Sequence, residues 1–261
     1  MFTPTHPTHA FGRGRLRSNR PGGVHVPYAD KLVDIFGATE VWRLVDIESG
    51  TAVPAHTTSA RNGTSSGLTL QNGGSPVSYD TLAAPLFSST TPSYCELATA
   101  SLISAFNAGV HSAGIWAKIQ SAQWTDGVQR MMMTHGRDGA NRSHINKTTT
   151  SNALNIFYRG NNVTDQVSQT GLSLAGQWFH FGYTVDTGAD ELKAYLNGVQ
   201  VGSTQTGIGV WSGALVNLLL GVYTDLATLA FTGHLAYAHV KYGSPVWTAQ
   251  NFADIVAEAN P

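Results

Sequence analysis

Carboxylates and histidines are the side chains of this sequence that could catalyse a reaction or bind a metal. A retaining glycoside hydrolase needs two carboxyl groups about 5 to 5.5 Å apart, and the glutamates here are isolated from one another along the chain. They are Glu40, Glu48, Glu96, Glu191 and Glu258. The ten histidines include no pair with the spacing of a helical zinc motif. We therefore expect no catalytic residue, no bound metal and no cofactor.

Two other positions could do chemistry. The turn sequence RDGAN at 137–141 places the carboxylate of Asp138 near the amide of Asn141 and backbone carbonyls, which together could hold calcium. A turn stabilised by these two side chains is the favoured interpretation. Cys95 is the single cysteine, so no internal disulfide forms, and its strand-like surroundings favour a buried, inert thiol over a nucleophile.

Aromatic residues in predicted loops are the candidates for binding a sugar. Trp124, Trp211 and Tyr223 lie between predicted strands, and each ring offers a flat apolar surface with a polar tip. We therefore name these three as candidate glycan-binding residues. The histidines of the predicted strands, including His180 and His234, are instead expected to be core or sheet-surface residues that hydrogen-bond to the backbone.

The elements that must position these residues are best defined at 177–200. Side chains at 178–185 alternate between two faces, which is the period-2 pattern of a β-strand. A turn at 186–190 leads to a second strand, and Asn197-Gly198 supplies the two positive-φ positions of a type I′ hairpin turn. Two successive hairpins make a meander, which predicts an all-β sandwich or barrel.

Further elements are predicted around this meander. Apolar patterning predicts strands at 67–71, 93–97, 115–119, 129–134, 153–158 and 215–222. The last of these is a continuous apolar run, which is typical of a strand buried on both faces. Apolar residues at helical spacing predict a short helix at 29–36.

Several short segments carry a family resemblance when they are taken together. They are the Trp-Phe-His strand at 178–180, LKAYLNG at 192–198, VWRL at 41–44, ESGT at 48–51, ARNGT at 60–64 and FTGHLAYAHV at 231–240. These segments resemble the laminin-G-like, concanavalin A-like lectin/glucanase jelly-roll domains, in the form found in bacteriophage structural proteins. The stretch at 248–258 is similar to the short helix that often follows the closing strand of such domains.

The resemblance implies a fold, and two functional sites known on that fold have no counterpart in this sequence. The implied fold class is all-β, a concanavalin A-like jelly-roll sandwich of two antiparallel sheets with an extended N-terminal arm and a short C-terminal helix. Glucanases on this fold use a Glu-x-Asp-x-x-Glu strand, and this sequence has no such motif. Legume-type lectins hold calcium and a transition metal with a dense cluster of Glu, Asp, Asn and His, and no segment has that ligand density.

Composition agrees with one such domain at 28–261. The chain has 261 residues, 42% of them hydrophobic, which is enough for one large sandwich. Only 12% are charged and 28 are glycines, which favours a turn-rich, weakly charged surface. A net charge of −1 argues against nucleic-acid binding by the domain. No apolar run is long enough to insert into a membrane, and no secretion signal opens the sequence.

The first 27 residues form a second unit. They contain four prolines and four glycines, no acidic residue, and the basic series Arg13, Arg15, Arg17 and Arg20. Such a composition buries too little apolar surface to fold alone. It predicts either an inert tail or an extended arm whose arginines pair with carboxylates of another subunit. We favour the arm and name these four arginines as its assembly anchor.

Two functions remain open. The first, which we favour, is a non-enzymatic virion structural protein: a capsid decoration or auxiliary protein, or a tail-associated subunit, assembled in the host cytoplasm. Its arm would bind capsid or tail subunits, the protein would be a homo-oligomer, and the jelly roll could adhere weakly to host-surface glycans. The second is a carbohydrate-binding module without catalytic activity. The first also explains the basic arm and the missing secretion signal.

Overall fold

The computed structural model describes residues 27–45, 47, 51–69, 73–81 and 83–260, in which antiparallel strands form two packed sheets. The strands are β1 (Glu40–Trp42), β2 (Ala52–Val53), β3 (Gly63–Ser66), β4 (Leu86–Phe87), β5 (Tyr94–Glu96), β6 (Val110–Ile119), β7 (Arg130–Gly136), β8 (Arg142–Lys147), β9 (Leu154–Gly160), β10 (Val163–Gln169), β11 (Trp178–Asp186), β12 (Glu191–Leu196), β13 (Val199–Gln205), β14 (Asn217–Leu220) and β15 (Gly233–Tyr242). The helices are α1 (Tyr28–Asp34), α2 (Ala100–Ala105), α3 (Ser121–Trp124) and α4 (Ala249–Ala259).

One sheet has seven strands and the other eight. The seven-stranded sheet runs β1-β15-β6-β11-β12-β13, with β4 added beside β15. The eight-stranded sheet runs β10-β9-β8-β7-β14-β5-β3-β2. Neighbouring strands of both sheets pair antiparallel. The predicted sandwich of two antiparallel sheets, followed by a short C-terminal helix, is therefore confirmed.

The predicted meander is the clearest local success. Strands β11, β12 and β13 are consecutive in the chain and adjacent in the sheet. Between β12 and β13, Asn197 has φ of 48° and Gly198 has φ of 84°, the positive angles that a type I′ turn requires. A Cβ atom added to Gly198 would lie 2.8 Å from the Cα of Ala253 in α4. The turn therefore needs glycine both for its backbone angle and for its contact with α4.

The main core lies between the two sheets. On β11 the predicted apolar face, which includes Phe179, Phe181 and Tyr183, points into this core. Strand β9 of the opposite sheet contributes Leu154 and Ile156, both fully buried. Fully burying one such side chain stabilises a fold by about 1.5 to 3 kcal/mol. Side-chain alternation thus assigns one face of each sheet to a single shared core.

A second core covers the other face of the seven-stranded sheet. Helices α1 and α4 pack on that face and bury its aromatic residues, among them Trp116 and Tyr237. Phe252 of α4 stacks on Tyr195 with ring centroids 4.2 Å apart. Thr248 caps α4 by accepting a hydrogen bond from the backbone N–H of Asn251 at 3.2 Å. Both faces of this sheet are consequently buried where the helices lie.

Three predicted elements differ in length from the observed ones. The apolar run at 215–222 contains only the four-residue strand β14, although its Leu218 and Leu220 face the main core and Leu219 a smaller cluster. In its described part, the predicted strand at 67–71 is reduced to one bridge between Thr69 and Leu86. The predicted helix at 29–36 begins at Tyr28 and ends at Asp34.

The predicted arm lies outside the described residues except for Pro27. The division of the chain into 1–27 and 28–261 therefore stays a prediction, as does the anchoring role of Arg13, Arg15, Arg17 and Arg20. Among the helices that the structure describes, none is both long and apolar enough to cross a membrane.

Candidate functional site

Polar and aromatic side chains line the surface of the eight-stranded sheet that points away from the main core, and we call this surface the outer face. Strand register places its residues in three rows across β10, β9, β8 and β7. The middle row is Gln166, Phe157, His144 and Thr134. The row on one side is Thr164, Arg159, Arg142 and Gly136. The row on the other side is Ser168, Asn155 and Asn146.

The middle row holds a line of aromatic rings. His144 stacks on Phe157 with centroids 4.6 Å apart and ring planes 10° apart. Tyr223, from the loop after β14, meets the other side of His144 edge-on at 5.6 Å. His144 is only 5% exposed, whereas Phe157 and Tyr223 are half-buried. The outer face therefore presents two partly exposed aromatic rings held on either side of a buried imidazole.

The imidazole of His144 is held neutral. Burial, together with the positive charges of Arg142 and Arg159, lowers its pKa from 6.5 to about 3. Its Nδ1 atom is buried and has no hydrogen-bond partner among the described residues. The side chain thus acts as a polar spacer between the rings and carries no charge at neutral pH.

Two arginines stand beside the rings. The guanidinium of Arg142 lies 5.4 Å from the centroid of Phe157 and 5.9 Å from that of Tyr223. The guanidinium of Arg159 lies 5.7 Å from the Phe157 centroid. Cation–π contacts of this length are attractive. They hold both guanidinium groups along the edge of the aromatic row, where their remaining N–H groups can donate hydrogen bonds.

Amide side chains complete the face on the other edge. Asn155 Nδ2 donates to Asn146 Oδ1 at 3.4 Å, and Ser168 Oγ donates to Asn155 Oδ1 at 2.8 Å. Asn146 Nδ2 donates in turn to the carbonyl of Lys147 at 3.1 Å. Asn146 and Asn155 are only 1% and 6% exposed, so this chain of hydrogen bonds supports the edge of the face from beneath.

Tyr223 is the one predicted glycan-binding residue that lies on the outer face. The structure corrects the other two, because Trp124 and Trp211 are only 2% and 3% exposed. The indole of Trp124 packs against Phe179 at 6.1 Å, and that of Trp211 against Phe106 at 5.3 Å. Helix α3 turns the indole of Trp124 inward over the main core, and the loop before β14 does the same for Trp211. No sugar ring can therefore stack on either.

Sequence reasoning missed Phe157, His144 and the two arginines. One signal was present at 154–159 (LNIFYR), where Leu154 and Ile156 alternate with polar neighbours. Phe157 occupies the polar register of that strand, and an apolar ring on the solvent side is unusual. The pairing with Arg142 and His144 left no comparable signal, because it depends on strand register.

Two carboxylates that the sequence analysis considered have structural partners. Glu40 is buried and accepts a hydrogen bond from the backbone N–H of Thr57 at 2.8 Å. Asp138 Oδ1 accepts from the backbone N–H groups of Ala140 and Asn141 at 2.8 and 2.9 Å. The turn stabilised by Asp138 and Asn141 is therefore confirmed. In the described ranges, no three His, Cys, Asp or Glu side chains are placed to hold a metal ion.

Removing divalent metals is expected to leave the stability of the protein unchanged. A ligand that does not bind the native state contributes nothing to its free energy of unfolding, so EDTA should move the melting temperature by less than about 1 °C. Differential scanning fluorimetry with EDTA, with and without excess calcium, measures this. A fall of many degrees that calcium reverses would contradict the expectation.

Cys95 and His234 behave as predicted. Cys95 is fully buried, and burial raises the pKa of its thiol. His234 Nδ1 lies 3.1 Å from the carbonyl oxygen of Pro85 and 3.2 Å from that of Ala84. Burial lowers the pKa of His234. Both residues have structural roles, and neither lies on the outer face.

A cavity of about 180 Å³ lies on the opposite side of the sandwich. It is lined by Pro27, Tyr28, Arg43, Tyr79, Asp80 and Tyr237. The hydroxyl of Tyr237 donates to Asp80 Oδ2, and Arg43 Nη2 lies 3.3 Å from the same oxygen. The polar groups of this cavity bind one another. The outer face, with its unused donors, is therefore the stronger candidate for a functional site.

The sequence at 90–241 matches the family model described as the concanavalin A-like lectin/glucanases superfamily. The match covers more than half of the 261 residues. The chain belongs to this superfamily. The concanavalin A-like fold expected from the resemblance is thereby confirmed. No curated protein matches the sequence of this chain.

Solved structures share the fold. One is domain 4 of AbnA, an extracellular GH43 arabinanase from Geobacillus stearothermophilus, in complex with arabinotriose: the TM-score is 0.61 at 16% identity, over 84% of this chain and 98% of that one. Another is the receptor binding domain of botulinum neurotoxin mosaic serotype C/D, with a TM-score of 0.58 at 11% identity over 83% of this chain. The match spans 50% of the neurotoxin domain.

Proposed function

We propose that this superfamily member is a non-catalytic carbohydrate-binding domain and that the outer face is its binding surface. The observation that carries the proposal is the row of Phe157, His144 and Tyr223, flanked by arginines on one side and amides on the other. Ligand sites characteristically combine apolar and aromatic walls with a few fixed polar groups. A sugar ring has the matching chemistry, since it offers C–H groups to an aromatic ring and hydroxyls to guanidinium groups.

The shared fold supports this proposal. Domain 4 of the arabinanase has the same fold and contains arabinotriose in its solved structure. At 16% identity that likeness concerns the fold, so the residues of the proposed site are argued from this chain alone. What favours the outer face is its combination of half-buried rings and side chains whose polar atoms are held in place by neighbours.

Catalysis is excluded from the proposal because the outer face lacks a carboxylate pair. In the described part of the three rows across β7 to β10, none of the side chains is a carboxylate. Glu96 is three strands from β8, and Asp165 pairs in register with Tyr158, which points into the core. Hydrolysis of a glycosidic bond needs two carboxyl groups within about 5 to 9.5 Å.

Phe157→Ala is expected to weaken oligosaccharide binding by about 30-fold. The ring lies at the centre of the row, and truncating a central aromatic contact costs about 2 kcal/mol or more. Binding is first sought on a printed panel of oligosaccharides and then measured by titration calorimetry. Tyr79→Ala, on the opposite side of the sandwich, is the control and should bind as the unaltered protein does.

Three outcomes would contradict the proposal. Equal binding by the Phe157→Ala and unaltered proteins would remove the site from the outer face. A protein that binds no member of the panel would remove the function itself. If chromatography shows that the protein cleaves an oligosaccharide to which it binds, the proposal that the domain is non-catalytic is overturned. Circular dichroism of each variant separates a lost contact from a lost fold.

We further propose that the domain is displayed on a virion, as a capsid decoration or auxiliary protein or a tail-associated subunit. The support is the composition of residues 1–27, which carry Arg13, Arg15, Arg17 and Arg20 without any acidic residue. These arginines would anchor the protein to capsid or tail subunits during assembly in the host cytoplasm. The outer face would then be free to adhere to host-surface glycans, with symmetry-related copies increasing the avidity.

Deleting residues 1–26 is expected to leave the sandwich folded and to abolish its incorporation into particles. Pro27 is kept because its carbonyl accepts a hydrogen bond from the backbone N–H of Lys31 at 3.2 Å. Co-sedimentation with particles from the producing host measures incorporation, and circular dichroism checks the fold. Replacing the four arginines by glutamine should have the same effect. Undiminished incorporation of the truncated protein would place the anchor on the sandwich.

A further inference from the structure

Arg142 and Arg159 are a like-charged pair in direct cross-strand register. Like charges that face each other across neighbouring strands destabilise a sheet. Within the described part of the chain, neither guanidinium has a carboxylate partner. Other arginines of the protein do have one: Arg43 pairs with Asp80, Arg61 with Glu40, Arg130 with Asp126 and Arg137 with Asp138. The outer face therefore concentrates positive charge that the fold leaves without an opposite charge.

A single carbonyl oxygen holds the two guanidinium groups together. Arg142 Nη1 and Arg159 Nη1 each donate to the carbonyl of Gly139 at 3.0 Å. The Nη1 atom of Arg142 and the Nη1 atom of Arg159 can therefore be separated by no more than twice that distance. Arg159 Nε also donates to Thr164 Oγ1 at 2.7 Å. These bonds set the spacing of the pair before a ligand binds, which lowers the entropy lost on binding.

Each guanidinium keeps donors for a ligand. A guanidinium has five N–H groups, and in both residues the Nη2 amino group has no partner among the described residues. Both side chains are half-buried, so water screens their charge less than at an open surface. Arginine recognises carboxylate, sulfate and phosphate groups through paired N–H donors. The pair is thus suited to one anionic group beside the aromatic row.

We propose that the outer face binds an acidic oligosaccharide, whose carboxylate or sulfate group lies between Arg142 and Arg159 while a sugar ring packs against Phe157. This inference rests on the proposed carbohydrate-binding function and specifies the class of sugar. The anion supplies the opposite charge that the pair lacks. The ring of Phe157 distinguishes such a ligand from an inorganic anion, because it contacts the uncharged part of the sugar.

Paired glycans test the charge preference directly. The panel contains uronic-acid, sialylated and sulfated oligosaccharides, each beside its neutral counterpart of the same chain length. The acidic member of at least one pair is expected to bind at least about 10-fold more tightly. Raising the salt concentration should weaken binding of the acidic member and leave binding of the neutral member unchanged.

A double variant assigns the preference to the two arginines. Arg142→Gln with Arg159→Gln should bring acidic and neutral members to within about 2-fold of each other, because the glutamines keep hydrogen bonding and lose the charge. Lys118→Gln with Lys241→Gln is the matched control, since it removes two positive charges from the seven-stranded sheet. This control should retain the full preference.

The outcomes separate the inference from the function on which it rests. If neutral glycans bind as tightly as acidic ones and the Phe157→Ala variant weakens both, the inference is overturned and the proposed function is left intact. A preference that survives in the arginine double variant would also overturn the inference. Binding of no glycan overturns both. Tighter binding of a single-stranded DNA oligonucleotide than of any acidic glycan would replace the sugar by a nucleic acid and overturn the inference.

Discussion

Between about pH 6.5 and pH 4.5, the protein is expected to lose most of its free energy of unfolding, because buried histidines must stay neutral in the native fold. Four histidines are fully buried: His111, His135, His180 and His239. Burial lowers the pKa of His111 and of His239 from 6.5 to about 4. It lowers those of His135 and His180 well below the same value.

Among the described residues, none of these four imidazoles pairs with a carboxylate, since the histidine that does so is His56. In the second core, His180 Nε2 lies 3.2 Å from His239 Nε2, and the aromatic rings packed on the pair are those of Trp116, Trp247 and Phe252. In the main core, His135 lies between the hydroxyls of Tyr242 and Tyr183, at 3.2 and 3.1 Å. Charging any of these imidazoles would place an unpaired cation in an apolar interior.

The direction of the pH effect follows from these depressed pKa values. Below pH 6.5 the unfolded chain binds protons at histidines that remain neutral in the native state. Stability is therefore complete above pH 6.5 and is lost as the pH falls toward 4. Each such histidine contributes about 1.4 kcal/mol per pH unit, so the four together reach on the order of 5 kcal/mol per pH unit. A typical domain has about 5 to 15 kcal/mol in total.

Urea unfolding followed by tryptophan fluorescence, repeated between about pH 7 and pH 4.5, measures this slope. His239→Gln should reduce the slope by about 1.4 kcal/mol per pH unit, because one titrating group is gone. Phe252→Leu is the matched control: it disturbs the packing beside the same histidine pair, so it should lower stability at every pH without changing the slope. A stability that is flat across this range would show that water or an unrecognised partner solvates the histidines.

Phe252→Ala is expected to reduce the free energy of unfolding by about 3 to 5 kcal/mol. The ring is fully buried between α4 and the seven-stranded sheet. It stacks on Tyr195 at 4.2 Å and meets Trp247 edge-on at 5.7 Å. A Cβ atom at Gly182 would lie 2.6 Å from Phe252 Cε1, so the ring fills the space that this glycine leaves open. Its removal creates a cavity that the rigid sheet cannot close.

Val256→Ala in the same helix is the control. Val256 is only partly buried against the second core, so its truncation should cost about 1 kcal/mol or less. Urea midpoints at constant m-value give both differences. Similar small losses in the two variants would mean that α4 adds little to the stability of the sandwich, and that the second core is not a cooperative part of the fold.

Local features of the sequence were sufficient to predict the meander and the fold family. The alternation along β11 and the positive-φ pair Asn197-Gly198 act over a few residues, so they can be recognised without knowing what lies nearby. The turn at Asp138 and Asn141 was predicted for the same reason, and the burial of Cys95 was predicted from the apolar, strand-like pattern around it. In the two turns neighbours in the chain supply the decisive contacts, whereas Cys95 is buried by strands β3 and β14 beside it.

The tertiary structure decided which surfaces are free. The face of β11 that carries Trp178 and His180 could have been solvated, but α1 and α4 bury it. A predicted loop position suggested that Trp124 and Trp211 were exposed, whereas helix α3 and the loop before β14 turn the two indoles into the core. Burial depends on elements distant in the chain, and composition does not encode their docking directly.

The candidate site also depends on tertiary structure. Arg142 and Arg159 lie on different strands, and Tyr223 comes from a loop much later in the chain. By itself the sequence places Phe157 in the register opposite to that of Leu154 and Ile156, a signal that the sequence analysis did not use. Only strand order and register bring the other residues beside it, because a shift of one residue in register would turn every one of those side chains to the opposite face.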